Sequence, residues 1–150
     1  MAAAPVTVED VGLYVHFPYC EKKCPYCDFN VHAIAHDDRV YTDAVLAEIE
    51  ARAPAFGGRF STIYFGGGTP SLLSASQIAS IVGTCRSDFA VDASAEVSLE
   101  ANPGSVTVEW FRAIRRVGVN RLSIGFQSLD DTELSFLGRI HTASQAIEAY

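Results

Sequence analysis

The stretch Val11-Gly12-Leu13-Tyr14-Val15-His16-Phe17-Pro18-Tyr19-Cys20-Glu21-Lys22-Lys23-Cys24-Pro25-Tyr26-Cys27-Asp28-Phe29 decides how the rest of the chain is read. Its first seven residues alternate. Val11, Leu13, Val15 and Phe17 share one face, and Gly12, Tyr14 and His16 share the other, the period-two pattern of a β-strand. The strand runs straight into a loop carrying Cys20, Cys24 and Cys27 at spacing C-x3-C-x2-C. Glu21, Lys22, Lys23, Pro25 and Asp28 make that loop polar, which argues against the plain alternative of three buried or merely free cysteines. Three thiolates can grip three irons of a four-iron, four-sulfur cluster, a group that ordinarily takes four cysteines. One iron is then open to an exchangeable ligand. Zinc held by three Cys and one of His16, His32 or His36 is the alternative, although zinc spacings usually pair two C-x2-4-C halves and only one compact group is present. Disulfides do not suit three clustered cysteines in a chain with no signal peptide ahead of them.

Outward from this stretch, strand-like and helix-like segments alternate. Residues 37–52 read as a helix with Val40, Ala44, Ala47 and Ala51 at helical spacing, ended by Pro54 and Gly57-Gly58. Residues 60–65 form strand two. Ser74 caps a helix running to about residue 87. Residues 95–101 form strand three, 107–117 a helix closed by Gly118, and 119–126 strand four. Residues 130–137 read as a short helix, and Thr142 opens another. The chain is read as one domain, 1–150, with residues 1–10 as an N-terminal extension.

Repeated β-α units imply an α/β fold with parallel strands and right-handed crossovers. Strands buried on both faces read as continuous apolar runs, but these alternate. Val97, Leu99 and Ala101 oppose Glu96, Ser98 and Glu100; Leu122, Ile124 and Phe126 oppose Arg121, Ser123, Gly125 and Gln127. Packed barrel interiors are filled by Val, Ile and Leu, so the polar face predicts an interior that holds a polar ligand. The alternative is a one-sided sheet with that face in water. Gly66-Gly67-Gly68-Thr69-Pro70-Ser71 is neither a Rossmann fingerprint nor a Walker A loop.

The unusual residues share one address. The cysteine loop follows strand one, the triple glycine strand two, Glu100-Ala101-Asn102-Pro103-Gly104 strand three, and Gly125-Phe126-Gln127-Ser128 strand four. Parallel α/β folds place their sites at these C-terminal strand ends. The glycines would let backbone approach a ligand and leave its amides free. Glu100 can accept from hydroxyls or pair with Arg121. Gln127 can donate and accept, and Arg139 can meet a carboxylate. Cys85 reads as a small buried residue.

The bulk numbers narrow the partners. The chain has 150 residues, 49% hydrophobic and 19% charged, as a globular domain has. A net charge of -7 with 11 scattered basic residues argues against a nucleic-acid backbone as partner. Arg112, Arg115 and Arg116 read as the solvated face of a helix. No apolar run reaches membrane-spanning length, and a cytoplasmic, reducing location is the default expectation.

Taken together, Leu13-Tyr14-Val15-His16-Phe17-Pro18-Tyr19-Cys20, Cys24-Pro25-Tyr26-Cys27-Asp28-Phe29, Phe65-Gly66-Gly67-Gly68-Thr69-Pro70-Ser71-Leu72-Leu73, Glu100-Ala101-Asn102-Pro103-Gly104, the run 118–128 and Leu137-Gly138-Arg139-Ile140-His141 resemble the radical S-adenosylmethionine (SAM) proteins of the oxygen-independent coproporphyrinogen III oxidase family. Within it they are most similar to the HemW branch of haem chaperones. The resemblance implies the N-terminal part of a partial TIM-type barrel, about four of its six β-α units, with a [4Fe-4S] cluster on Cys20, Cys24 and Cys27. It implies SAM contacts at Tyr14, Gly67, Gly68, Thr69, Glu100, Gln127 and Arg139, with Tyr26 covering the cluster or the bound SAM. The cluster would reduce SAM, cleaving it to methionine and a 5′-deoxyadenosyl radical. Haem, its binding site expected outside these residues, and haem-receiving apoproteins would be the partners. The oxidases carry a further Cys two residues past the third, where this chain has Phe29. A barrel left unclosed would expose a strand edge, so this piece alone is expected to be unstable or to aggregate.

Overall fold

One face of each strand is apolar because it packs on helices. The computed structural model describes residues 6–150, with side chains from residue 11 onward. Four strands, β1 (Val6–Phe17), β2 (Phe56–Gly67), β3 (Val91–Ala101) and β4 (Arg121–Ile124), form one sheet in sequential order. Every pairing is parallel. Between and after them lie α1 (Asp38–Arg52), α2 (Ala75–Asp88), α3 (Val108–Arg116), α4 (Asp131–Phe136) and α5 (Ala143–Glu148). The result is an open α/β sheet, as in an incomplete barrel. Among the described residues no helix is long and apolar enough to cross a membrane.

The helices start where the sequence places caps. Ser74 and Thr142 each close a capping box, with Gln77 and Gln145 respectively. Thr107 accepts from the Trp110 amide. Each cap satisfies amides that the first helical turn leaves without partners.

All four strands differ in extent from the sequence reading, β3 beginning four residues before the expected residue 95. β1 and β2 begin five and four residues early, because Val6, Thr7 and Val8 pair with Phe56, Gly57 and Gly58. The ladder overrides the turn signal of the paired glycines, and the expected extension 1–10 is strand from Val6; residues 1–5 lie outside the described residues. β4 is shorter than expected. Asn120 pins its start onto β3, accepting from the Val97 amide at 2.8 Å and donating to the Ala95 carbonyl at 3.0 Å.

The core lies on the helical side. Phe17, Ile63, Phe65, Val97 and Leu99 pack there with Ile49, Ile78, Ile81, Val82, Cys85 and Ile114, all buried. Here α1 differs from its expected orientation. Val40, Ala44, Ala47 and Ala51 are exposed, while Thr42 and Ile49 are buried beside Tyr41, Val45 and Leu46. The larger side chains remove more apolar area from water than the alanines would. Thr42 also hydrogen-bonds Asp38 and Gln77, tying α1 to α2.

The polar face of the sheet carries the rows Tyr14–Tyr64–Ser98–Arg121 and His16–Gly66, with Glu100–Ser123 beside them. In this chain that face is open: Tyr14 is 59% exposed, and Glu96, Arg121 and Ser123 are exposed too. The expected enclosed interior is therefore not formed by the described residues alone.

Candidate functional site at the C-terminal strand ends

The cysteine loop is closed at its base. Tyr19 bridges His32. The His32 amide donates to Pro18 O at 2.7 Å and the Cys20 amide to His32 O at 3.1 Å. His16 holds the far side: Nε2 donates to the Asn30 carbonyl at 2.9 Å, which leaves Nδ1 to accept the Tyr14 hydroxyl at 3.1 Å. Cys20 is buried and Cys24 and Cys27 half-buried; all three thiols are free. Burial, then the neighbouring Cys27 and Cys24, push the Cys20 thiol up, against a smaller pull down from Lys23. A metal centre would have to displace that proton. Among the described residues no three His, Cys, Asp or Glu side chains converge on a point that one metal ion could occupy. Thiolates on a cubane instead bind separate irons.

The three cysteines line one cavity with Tyr26, Gly67, Gly68, Thr69, Glu100, Gln127 and Arg139. Ten of the eleven expected site residues thus meet there. Tyr14 is outside the lining; it stacks on Tyr64 with ring centroids 5.9 Å apart.

The triple glycine works differently from the sequence reading. A Cβ on Gly67 would meet the Phe17 carbonyl at 2.7 Å, and one on Gly68 would overlap Tyr19 O. Gly67 also has φ +116. These glycines let the end of β2 press against the start of the cysteine loop. Their amides are taken: Gly68 N–H donates to Phe17 O at 2.7 Å, and Gly67 N–H to Glu100 Oε2 at 3.1 Å. Thr69 N–H continues the seam to Tyr19 O at 2.8 Å.

Glu100 is also held by Tyr64, whose hydroxyl donates to Oε1 at 2.7 Å. Burial, then this hydrogen bond and the charge of Glu100, push the Tyr64 phenol up to about 12. Arg121 does not pair with Glu100; it lies 3.6 Å from Glu96 and 3.3 Å from Ser98 Oγ.

After β4 the chain turns sharply. Gln127 has φ 67, the only positive φ outside glycine among the described residues. Neighbours hold the turn in place. Gly125 N–H donates to Ala101 O at 2.9 Å, Arg139 Nη2 to Gly125 O at 2.9 Å, and His141 Nε2 to Phe126 O at 3.1 Å. His141 is buried, its Nδ1 has no partner, and burial holds its pKa below the usual value.

Arg139 closes the site. Gly138, at φ +71, caps α4. It turns the chain so that Arg139 Nη1 comes 3.5 Å from Cys24 Sγ and 3.5 Å from the Tyr26 hydroxyl. Arg139 Nε is buried with no partner.

Tyr64 and His141 brace the site without having been expected in it, and Asn102 and Ser123, which the sequence placed only in a strand-end motif and on the polar face, line the cavity. For Tyr64 the signal was available: Thr62, Tyr64 and Gly66 alternate with Ile63 and Phe65.

A profile of the radical SAM superfamily matches residues 14–150, and the chain belongs to that superfamily. Within it, the similarity runs to HemW- and HemN-like proteins. The haem chaperone HemW of Escherichia coli (strain K12) is 43% identical over 96% of this chain and 39% of its own length. The mitochondrial radical SAM domain-containing protein 1 of Bos taurus is 44% identical over 91% of this chain and 31% of its own. The solved coproporphyrinogen III oxidase HemN of Escherichia coli, described as a radical SAM enzyme, superposes with a TM-score of 0.85 at 32% identity, over 93% of this chain and 33% of that one. The chain thus spans about two fifths or less of the length of these relatives.

Proposed function

We propose that this chain carries the cluster- and SAM-binding part of a HemW-like haem chaperone. The observation that carries the reading is the convergence of Cys20, Cys24 and Cys27 with Glu100, Gln127 and Arg139 on one cavity at the strand ends. The donor set fits: three free thiols suit an iron–sulfur cluster. Cys20, Cys24 and Cys27 would hold three irons, and SAM the fourth. A buried guanidinium N–H without a partner suits the SAM carboxylate. Glu100, oriented by Tyr64 and Gly67, offers its remaining lone pairs to ribose hydroxyls. Gly67, Gly68 and Thr69 shape the wall, and Tyr26 covers the cluster side. When bound, the cluster supplies one-electron reduction of SAM; the protein fixes geometry and limits water. Tyr14 acts through His16 and the loop it anchors.

Haem would be cargo, passed to apoproteins, with its site outside these residues. The second reading is an oxygen-independent coproporphyrinogen III oxidase that decarboxylates propionates. Phe29, 63% exposed at the cavity edge where those oxidases carry a further Cys, disfavours it. A reducing compartment, the cytoplasm by our reading, suits four unpaired cysteines.

The test is anaerobic reconstitution with iron and sulfide, read by iron count and reduced-state EPR with and without SAM. Four irons per chain and a spectrum perturbed by SAM are expected. A colourless product that binds one zinc would sink the cluster reading. Turnover of coproporphyrinogen by the full-length protein would favour the oxidase.

A further inference from the structure

We infer that Arg139 sets the reduction potential of the cluster through an N–H···S hydrogen bond to Cys24. The inference rests on the proposed cluster site and concerns its regulation. Arg139 lies 115 residues from Cys24 in sequence, yet Nη1 is 3.5 Å from its Sγ. The guanidinium is held at one end, and the backbone that carries it at two further points. Nη2 donates to Gly125 O at 2.9 Å, the backbone amide to Leu134 O at 2.9 Å, and the preceding Gly138 sits against Pro25 of the cysteine loop. This fixed cation at a ligating sulfur cannot lose its proton.

A cluster gains negative charge on reduction. A fixed positive N–H donor at one of its sulfurs stabilises the reduced state more than the oxidised one and raises the potential. Lys22 and Lys23 also line the cavity but are exposed, so solvent and salt screen them. Lys23 is further drawn to the Phe29 carbonyl at 3.2 Å. The half-buried Arg139 therefore has the larger leverage on the cluster. It is a positioning and tuning residue here, acting through Cys24.

The experiment is an EPR-monitored potentiometric titration, with dithionite and mediators, of the reconstituted protein and its R139K and R139A variants. No SAM is present, so activity plays no part. The reduction equilibrium of R139A is expected to fall at least tenfold, about 59 mV for a one-electron couple. R139K, which keeps the charge but loses the fork, should fall between R139A and wild type. As a check independent of substitution, the wild-type cluster in protein labelled with guanidino-15N arginine should show 15N coupling by pulsed EPR. If R139A takes up no iron, R139K and the coupling decide. Full iron content with unchanged midpoints, or no 15N coupling, overturns the inference and leaves the cluster site standing. Wild-type protein that assembles no four-iron cluster overturns both.

Discussion

Gly138 and Pro25 touch so closely that a Cβ on the glycine would lie 2.7 Å from the proline Cδ. The contact joins the end of α4 to the middle of the cysteine loop, and it delivers Arg139 to Cys24. Gly138→Ala should therefore strike twice. The left-handed φ of +71 costs an alanine about 1 kcal/mol, and the methyl pushes Pro25 away. We expect a lower thermal midpoint and a larger loss in iron bound per chain after reconstitution. Unchanged iron content would mean that the loop is set by its base alone.

Gly83 provides the opposite case. It lies in α2, is exposed, and a Cβ there would meet nothing within 4 Å. Gly83→Ala should stabilise by roughly 0.5–1 kcal/mol through helix propensity, with iron uptake unchanged. Urea denaturation of the two proteins checks it.

Tyr64→Phe removes one of the two donors that fix Glu100. If Glu100 meets the ribose of SAM, affinity should fall about fivefold, the worth of roughly 1 kcal/mol. Calorimetric titration of SAM into reconstituted protein reads this. The substitution should also alter stability at high pH. The phenol titrates at about 12 folded and 10.0 unfolded. Above pH 10 the unfolded state binds fewer protons than the folded one, so stability falls as pH rises from 10 to 12. That slope should be shallower in the variant, and an equal slope would argue against the Tyr64–Glu100 bond.

What was legible in the sequence follows from what is local. Strand parity and the caps depend on neighbours in the chain, so Ser74, Thr107 and Thr142 were readable as helix starts. The clustering of nine expected site residues was readable because strand ends in a parallel sheet share one side; Arg139 follows α4, and only the family resemblance brought it to the site. The expected α1 face was not, because burial there depends on α2, through partners such as Gln77 that no helical period reveals. The glycine run was misread for the same reason: its neighbours are Phe17 and Tyr19, on another strand and the loop after it. Asn120 and His141 bind backbone, and no motif announces a backbone partner.

His141 links pH to the same turn. Burial lowers its pKa from 6.5, so below that pH the unfolded state takes up a proton that the folded state resists. Stability should fall as pH drops from about 6.5 through the folded value. His141→Gln keeps a donor for the Phe126 carbonyl but cannot titrate. Urea midpoints measured between pH 5 and 7 should depend less on pH in the variant. Parallel curves would assign the acid sensitivity to other groups.

Gln127 separates stability from binding. A glutamine at φ 67 bears a steric cost of about 1–2 kcal/mol that glycine escapes, while glycine carries more chain entropy into the unfolded state. The side chain is exposed and lines the cavity, so its removal opens no hole in the core. Gln127→Gly should thus leave the thermal midpoint equal or higher. SAM binding should weaken, because the amide is lost and the turn is freer to move. This opposition is what a strained residue kept for its ligand predicts. A variant that lost stability while keeping SAM affinity would instead show that Gln127 serves the fold, with the turn at 125–127 braced by its side chain rather than by Ala101, Arg139 and His141.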